Sequence, residues 1–352
     1  MGICLCLLFI AETRAQPPVT LTTFDVPGAG AGAGEGTFAM SINKAGVIAG
    51  YAGNSGFVRA ANGTITTFGA PAAISTSAWA INEGGAITGI YGTYHGANPN
   101  WIRGFLRTTD GSFLAFDAPG AGTGPYQGTH PMSINVLGAV TGYYIDSGGA
   151  YHGFARSPIG PVGTIFSFDA PGAAATFPES INGAATIAGY YRDAANVYHG
   201  FMWPADGTIS TFDAPGAGTG DQQGTTAWSI NAAGTIAGYY TDANGVAHGF
   251  VRSASGVIST FGAPGAGTHT VEGTYGLTIN AAGVIAGNYL DAKARNHGFV
   301  RGPRGAIVTF DGPGAATGAY GGTLPTSISD AGQITGSYYD VGGVYHGFVL
   351  TQ

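Results

Sequence analysis

Residues 226–252 read TAWSINAAGTIAGYYTDANGVAHGFVR, and close copies of this stretch recur along the chain. Each copy follows a short run that ends in Phe-Asp or Phe-Gly, and the Phe returns at steps of 44 to 52 residues. Seven such residues occur, namely Phe24, Phe68, Phe116, Phe168, Phe212, Phe261 and Phe310. A period in the forties with several short apolar runs per repeat is typical of a β-propeller blade.

Each repeat contains four short segments with the composition of β-strands. In the fifth repeat they are residues 226–231, 235–242, 248–252 and 257–262, separated by turns that contain Gly, Asn or Ser. Branched and aromatic residues favour strands, and tight turns join antiparallel neighbours. The sequence therefore predicts one all-β domain over residues 16–352. We expect a seven-bladed β-propeller of four-stranded antiparallel blades.

The two ends of the repeat array predict how the domain closes. The array starts with a lone fourth-type strand at residues 19–25 and ends on a third-type strand at residues 346–350. Pairing of these N- and C-terminal strands would complete the seventh blade and remove an open sheet edge. The long loops between repeats would then share one rim with the hairpins between second and third strands. We expect function on this long-loop face, where loops are long and variable.

Residues 1–15 have the features of a secretory signal peptide. An apolar run at residues 3–10 precedes Thr13-Arg14-Ala15, which resembles a cleavage site between small residues. Both cysteines, Cys4 and Cys6, lie in this segment, so the mature chain would contain neither disulfides nor thiolate metal sites. The run is too short to span a bilayer, and no later segment has 18 consecutive apolar residues. We expect a secreted protein, extracellular or periplasmic, without membrane insertion.

Composition excludes several other classes. Hydrophobic residues make up 44% and aromatic residues 12% of the chain, which argues against disorder. The 64 glycines follow no triplet period, so a collagen-like chain is excluded. A net charge of -7 with 9% charged residues offers no basic stripe for nucleic acid. We therefore expect a glycine-rich globular monomer that does not bind nucleic acid.

The repeats resemble the HAF-type extracellular repeat of bacterial secreted proteins. The resemblance rests on residues 230–234, INAAG, residues 236–238, IAG, and residues 248–250, where HGF stands in place of His-Ala-Phe. It covers residues 20–352, and the glycine makes this chain a divergent variant. The resemblance implies secretion and a propeller-like fold. It implies no defined activity and supplies no catalytic residues.

Five repeats carry an Asp and a His six residues apart. The pairs are Asp146 and His152, Asp193 and His199, Asp242 and His248, Asp291 and His297, and Asp340 and His346. If each pair faces across its hairpin, Tyr144 lies opposite Phe154, and the other four repeats form the same aromatic pair. We interpret the pairs as structural clamps, because a catalytic site is normally single. A ring of metal-binding or water-activating groups is the alternative.

A second set of carboxylates closes the fourth strand before Pro-Gly or Gly-Pro. Its members are Asp25, Asp117, Asp169, Asp213 and Asp311. We expect them to accept hydrogen bonds from the backbone of the following turn. Calcium is the alternative, although one Asp per repeat is few oxygens for this ion. The sequence predicts no other metal and no cofactor.

The loops that precede the first strands supply the candidate site residues. Glu35, Gln127, Gln223 and Glu272 each precede Gly-Thr, and His130 and His269 lie close by. Glu35 and Glu272 could converge at the mouth of the channel as a carboxylate pair for glycoside chemistry, although solvated loop carboxylates are the simpler interpretation. His95 and Trp101 lie in an insert of the second repeat, where Trp101 could stack on a sugar. Trp79 and Trp228 are expected to line the core or the channel.

These observations leave two functions open. The first is a secreted binding or scaffold module that recognises a glycan or a surface protein on the long-loop face. Its ligand-binding residues would be Gln127, Gln223, Trp101 and His95. The alternative is a polysaccharide-cleaving hydrolase or lyase, with Glu35, Glu272, His130 and His269 at the channel mouth. The sequence does not decide whether the protein is an enzyme.

Overall fold

The computed structural model describes residues 20–95, 98–158 and 163–351, and the side chains of these residues except 94–100. Within these ranges the chain forms 28 β-strands and no helix, so the all-β prediction is confirmed. It follows that the described part has no helix capable of crossing a membrane. The predicted signal peptide lies outside the described residues.

The strands fall into seven units of four, each antiparallel in sequence order. Unit 1 contains β2 (Thr37–Ile42), β3 (Ile48–Ala52), β4 (Ser55–Arg59) and β5 (Ile65–Phe68). Unit 2 contains β6 (Ser75–Ile81), β7 (Ile87–His95), β8 (Asn98–Arg107) and β9 (Phe113–Phe116). Unit 3 contains β10 (Gly128–Ile134), β11 (Val140–Ile145), β12 (Tyr151–Arg156) and β13 (Ile165–Phe168). Unit 4 contains β14 (Ala175–Ile181), β15 (Ile187–Arg192), β16 (Tyr198–Trp203) and β17 (Ser210–Phe212).

The remaining units follow the same order. Unit 5 contains β18 (Gly224–Ile230), β19 (Ile236–Thr241), β20 (Ala247–Arg252) and β21 (Ile258–Phe261). Unit 6 contains β22 (Gly273–Ile279), β23 (Ile285–Leu290), β24 (Asn296–Arg301) and β25 (Ile307–Phe310). Unit 7 contains β26 (Gly322–Ile328), β27 (Ile334–Tyr339), β28 (Tyr345–Thr351) and, from the other end of the chain, β1 (Thr20–Phe24). β1 pairs antiparallel with β28, as the sequence predicts for the terminal strands.

The predicted register of the hairpin between second and third strands is wrong by two residues. Tyr144 lies opposite His152, and Phe154 lies opposite Gly142. The same arrangement places Phe250 opposite Gly238, where a Cβ atom would stand 2.8 Å from the Phe ring. Glycine is therefore needed at this position because a Cβ atom would clash with both the backbone carbonyl oxygen of Thr226 and the Phe250 ring. The third-strand Phe residues pack on glycine, and the Tyr residues stack on histidine.

Each first strand contains a β-bulge at the same place. In β14 the register shifts between Pro178 and Ser180, so Glu179 is the extra residue. The corresponding shifts in the other first strands make the extra residues Met40, Trp79, Met132, Trp228, Leu277 and Thr326. A bulge bends its strand and re-aims the side chain of the extra residue. These seven positions are called the bulge residues below.

The apolar core lies between neighbouring units rather than within single ones. Phe57, Phe105, Phe154, Phe201, Phe250, Phe299 and Phe348 are completely buried, one in each unit. Each lies in a cluster that also includes a buried residue of the preceding unit, such as Ala188 of unit 4 beside Phe250 of unit 5. The cluster around Phe57 of unit 1 includes Val349 of unit 7. Apolar burial therefore joins every unit to its neighbour, including the first to the last.

Hydrogen bonds also join successive units. The Nδ2 of Asn135 donates to the carbonyl oxygen of Asn182 at 2.9 Å, and Asn182 donates to that of Asn231 at 3.1 Å. The same relay runs from Asn43 to Ser329 across all seven units. Ser337 Oγ of unit 7 in turn donates to the Thr37 carbonyl of unit 1 at 3.0 Å. Buried polar groups are thus satisfied across unit boundaries.

Candidate functional site: a central cavity

The Asp–His pairs close the hairpins between second and third strands. The distances from His Nε2 to Asp Oδ2 are 3.6 Å for His152–Asp146, 3.6 Å for His199–Asp193, 3.1 Å for His248–Asp242, 3.4 Å for His297–Asp291 and 3.3 Å for His346–Asp340. Asp146 Oδ1 also accepts two backbone N–H bonds, and the bond from Ala150 is the main cause that lowers its pKa. Tyr144 stacks on His152 with ring centroids 5.1 Å apart. This geometry supports the clamp interpretation.

The Asp residues that follow the fourth strands pair with side chains, so the prediction that they cap their own turns is wrong. Distances from His Nδ1 are 2.9 Å for His152–Asp169 and 3.0 Å for His199–Asp213, His297–Asp311 and His346–Asp25. In unit 2, Arg103 replaces the His and lies 2.6 Å from Asp117. The cause is the sheet register, because Gly153 opposite Phe168 places Asp169 beside His152. Unit 5 has Gly262 here, so His248 has one Asp partner.

Glu35, Gln127, Gln223 and Glu272 each close their own inter-unit loop with a hydrogen bond. A side-chain oxygen accepts a backbone N–H from the residue three positions earlier, at 2.9 Å in Glu35, 3.0 Å in Gln127, 2.9 Å in Gln223 and 2.8 Å in Glu272. Backbone donation from His269 is the main cause that lowers the pKa of Glu272. Each carboxylate or amide is therefore committed to its own loop. The structure brings His269 and Glu272 together but gives Glu35 and Glu272 separate loop-closing roles.

The two candidate histidines have opposite environments. His269 exposes 80% of its side chain, and its Nδ1 is 3.1 Å from Glu272 Oε2. His130 lies in β10 with its ring stacked on Tyr143 at 4.7 Å, and burial lowers its pKa to about 4. The expectation that His130 is accessible in a loop is wrong, because the first strand of unit 3 begins before it.

The insert of the second repeat lengthens a hairpin rather than forming a loop. It extends β7 to His95 and starts β8 at Asn98. The Trp101 ring lies 4.7 Å from the guanidinium carbon of Arg103. The side chain of His95 lies outside the part of the structure that is described.

The bulge residues meet around one cavity of about 270 Å³, called the central cavity below. Its wall takes two residues from each of the seven first strands: the bulge residue and the residue after it. The second set consists of Ser41, Ala80, Ser133, Ser180, Ser229, Thr278 and Ser327. Trp79 and Trp228 lie in this wall, as the sequence predicts for a channel. One wall is therefore built from the same two positions of every unit.

Glu179 is the ionisable residue among the fourteen that line the central cavity. It exposes 9% of its surface, and burial raises its pKa to about 8. No described residue forms a hydrogen bond with its carboxyl group. The carboxyl oxygens are not fully enclosed, so the group is directed into the cavity.

Tyrosines of units 3, 4 and 5 lie close enough to Glu179 for its charge to raise their pKa values. Burial, followed by the charge of Glu179, raises the pKa of Tyr143 to about 12 and also raises that of Tyr190. Burial likewise raises the pKa of Tyr239 to about 12, with Glu179 a smaller contributor. Trp228 stacks on Tyr190 with centroids 6.5 Å apart. These phenols remain neutral at physiological pH and present hydroxyl groups and ring faces.

A second cavity of about 420 Å³ continues from the central cavity towards the turns between first and second strands. The two cavities share Ser41, Ser229, Thr278 and Ser327, and we call the second one the turn-side cavity. The Asn relay lines it, and its ionisable lining residues are Glu83 and Asp330. The Asp330 carboxylate accepts a backbone bond from Ala281 at 2.8 Å. The turn-side cavity therefore adjoins the central cavity, which Glu179 lines.

Sequence reasoning missed Glu179 although the necessary signal is present. The residue before each Ser-Ile-Asn run or its variant is Met, Trp, Met, Glu, Trp, Leu and Thr in the seven repeats. Comparison of this one position identifies a single acid among uncharged residues. What the sequence does not show is the bulge that turns this position into the cavity. Within the described residues, no group of three or more His, Cys, Asp or Glu is arranged to hold a metal ion.

Comparison with known proteins places the fold but not the activity. No family model matches the chain, and no curated protein matches it. A streptogramin B lyase structure, a β-propeller, aligns with a TM-score of 0.56 at 14% identity over 95% of this chain and 98% of that chain. Two weaker alignments are with a mutant of AofleA from Arthrobotrys oligospora, in which alanine replaces three arginines, and with Trypanosoma rangeli sialidase in complex with sialic acid.

The AofleA alignment has a TM-score of 0.38 at 12% identity over 86% of this chain and 88% of that chain. The sialidase alignment has a TM-score of 0.37 at 11% identity over 89% of this chain and 59% of that chain. At such low identity a structural likeness transfers a fold and no function. The alignment with the streptogramin B lyase structure indicates a β-propeller-like all-β fold for this chain.

Proposed function

We propose that this protein is a secreted, HAF-type binding module, a closed seven-bladed β-propeller that holds a small ligand in its central cavity. The observation that carries the proposal is the contrast at the bulge positions. The seven bulge positions carry five residue types, among them Trp79, Glu179 and Trp228, and all seven line one cavity. A specific binding site requires different side chains around one cavity, and the bulge residues supply them.

Three features support a closed ring of seven blades. Seven four-stranded units occur, and β1 completes unit 7 by pairing with β28. The core cluster of unit 1 includes Val349, and Ser337 bonds to Thr37, so the first and last units are in contact. A single cavity is lined by all seven first strands, as expected for strands that surround an axis.

The size of the cavity favours a small molecule. Ligand pockets usually enclose about 300–1,000 Å³, and the central cavity, at about 270 Å³, lies just below this range. Its wall is largely apolar and aromatic, with one carboxyl group and a layer of hydroxyl groups. A site on the long-loop face for a glycan or surface protein has less support, since Glu35, Gln127, Gln223 and Glu272 are used to close their own loops.

The polysaccharide-cleaving alternative also has less support. Glycoside hydrolysis normally needs two carboxyl groups about 5–10 Å apart across the scissile bond. Glu35 and Glu272 accept bonds within separate loops, and the central cavity offers the carboxyl of Glu179 alone. A single buried acid suits recognition better than this chemistry.

Blocking the cavity tests the proposal. Leu277→Trp places at a bulge position the residue that units 2 and 5 already carry there, so the fold should be retained while the cavity fills. Val341→Trp adds the same ring at a residue that is 84% exposed and serves as the control. We would screen small cations, neutral sugars and anions by thermal shift and tryptophan fluorescence.

We expect at least one ligand class to raise the melting temperature of the wild type and of Val341→Trp by several degrees, with no effect on Leu277→Trp. If every ligand that binds does so equally to all three proteins, the site lies elsewhere and the proposal fails.

A further inference from the structure

We propose that the ligand of the central cavity is a small organic cation, an alkylammonium compound, that enters through the turn-side cavity and pairs with Glu179. This inference rests on the proposed function and specifies its ligand class. It joins three independent features of the described residues: the sign of the charges along the path, the unpartnered carboxyl at its end, and the aromatic wall around it.

The path carries charge of one sign. The ionisable residues that line the two cavities are Glu83 and Asp330 near the turns and Glu179 in the interior, and all three are acidic. No Lys, Arg or His belongs to either lining set. The whole chain has a net charge of -7. A cleft lined by one sign of charge concentrates ligands of the opposite sign and repels anions.

The interior carboxyl lacks the partner that a cation would supply. Glu179 is nine-tenths buried, lines the cavity, and receives no hydrogen bond from the described residues. A buried carboxylate is stable only when it is paired, and otherwise it takes up a proton. Burial raises the pKa of Glu179 to about 8, which favours the protonated form at neutral pH. An ammonium group in contact with Glu179 would restore the charged form.

The rest of the wall suits the alkyl groups of such a cation. Trp79 and Trp228 line the cavity together with Met40 and Met132. Cations are attracted to the faces of aromatic rings, most strongly to Trp, and desolvation strengthens the attraction. Trp228 also stacks on Tyr190, which fixes its ring. An aromatic and thioether wall with one acid therefore matches an alkylated ammonium group better than a sugar with many hydroxyl groups.

A matched pair of probes isolates the charge. Choline and 3,3-dimethylbutan-1-ol have nearly the same shape, but only choline is charged. We would titrate each into the wild type, Glu179→Gln and Glu35→Gln by calorimetry at pH 9. Glu35→Gln is the control, because Gln already closes the equivalent loops at Gln127 and Gln223.

We expect choline to bind the wild type and Glu35→Gln at least tenfold more tightly than the neutral alcohol. Glu179→Gln should lose this tenfold preference, because its amide keeps the shape but not the charge. Leu277→Trp should abolish the binding of both probes.

Proton linkage gives a second readout that a purely structural role of Glu179 would not produce. With a pKa of about 8, Glu179 is about 1% ionised at pH 6 and about 90% ionised at pH 9. Choline affinity should therefore rise about 90-fold over this range, with about one proton released per choline at pH 6. Tyr143, Tyr190, Tyr239 and His130 keep one protonation state from pH 6 to pH 9, since their pKa values lie far outside it.

The outcomes separate the two proposals. Equal affinity for choline and the alcohol, or unchanged choline affinity in Glu179→Gln, overturns the cation inference and leaves a cavity-binding protein. If sugars or anions bind, choline does not, and Leu277→Trp abolishes that binding, the cation inference is likewise overturned while the cavity-binding proposal stands. If no probe or screened compound distinguishes the wild type from Leu277→Trp, both proposals fail.

Discussion

Two layers of the same seven units differ in how regularly their residues repeat. One layer consists of the hairpins between second and third strands, and the other consists of the bulges of the first strands. Five hairpins repeat the same Asp–His pair with the same Tyr stacked on the His. The bulge layer has five residue types at seven equivalent positions. The repeated pairs stabilise their hairpins. The bulge residues differ between units and face one shared cavity, so they are available for recognition.

The two layers also differ in how their charges are satisfied. In the hairpin layer His297 lies between Asp291 and Asp311, and each carboxylate has a partner. In the bulge layer Glu179 has none. The first arrangement adds stability, whereas the second removes some of it and is retained despite that cost. This contrast leads to three predictions about stability.

The largest effect concerns Glu179 and pH. Its pKa is raised to about 8 in the folded protein from an ordinary value of 4.5. The folded state therefore keeps a proton that the unfolded chain loses above about pH 4.5, and stability falls as pH rises towards 8. We expect this one group to lower the free energy of unfolding by roughly 4 kcal/mol between pH 5 and pH 9.

Urea unfolding of the ligand-free wild type and Glu179→Met measures this effect. Met is the bulge residue of units 1 and 3, so the variant should be tolerated. Its stability curve should lack the decline and lie above the wild-type curve at pH 9. Parallel curves for the two proteins would show that Glu179 is not buried as an acid.

The second prediction compares two histidines in the hairpin layer. His297 has two Asp partners, whereas His248 has only Asp242, and both stack on a Tyr at about 5 Å. Because these groups are partly exposed, we expect His297→Ala to cost about 1 kcal/mol and His248→Ala about 0.5 kcal/mol. Chemical denaturation measures both losses. Equal losses would mean that the fourth-strand Asp contributes nothing, and neither change should affect ligand binding.

The smallest effect is a gain. Gly262 stands where Asp25, Asp169, Asp213 and Asp311 face a His in other units, and a Cβ atom there meets nothing within 4 Å. Gly262→Asp should therefore give His248 its second partner and add about 0.5 kcal/mol. The double variant with His248→Ala is the control, since the gain should vanish in it. A gain that persists would have another origin.

The sequence predicts the larger features of this molecule and fails at specific contacts. The repeat period, four strands per repeat and pairing of the terminal strands follow from Phe spacing and turn residues. The register of the hairpin does not follow from the sequence, because the sequence leaves the length of the turn that Asp146 closes undetermined. In the structure Tyr144 therefore lies opposite His152 rather than Phe154. Regular patterns specify elements, whereas register depends on turn geometry.

The sequence pattern also does not single out Glu179, for a related reason. Glu35 and Glu272 are easily noticed in polar loops, but their carboxylates already accept hydrogen bonds from backbone N–H groups. Glu179 is inconspicuous inside an apolar strand, and only the bulge beside Pro178 directs it into the cavity. Strand alternation alone does not place such a residue, since one extra residue breaks the period of two.

The pairing of β1 with β28 determines when the chain can finish folding during its synthesis. Thr20 and Thr351 are partners although 331 residues separate them along the chain. A chain that is still emerging has six units that can assemble in order, but its N-terminal strand waits for the last residues to appear. Until then β1 has no partner and unit 7 presents an open edge, the feature that invites wrong pairing. Any truncation before β28 would leave the molecule in that unfinished state.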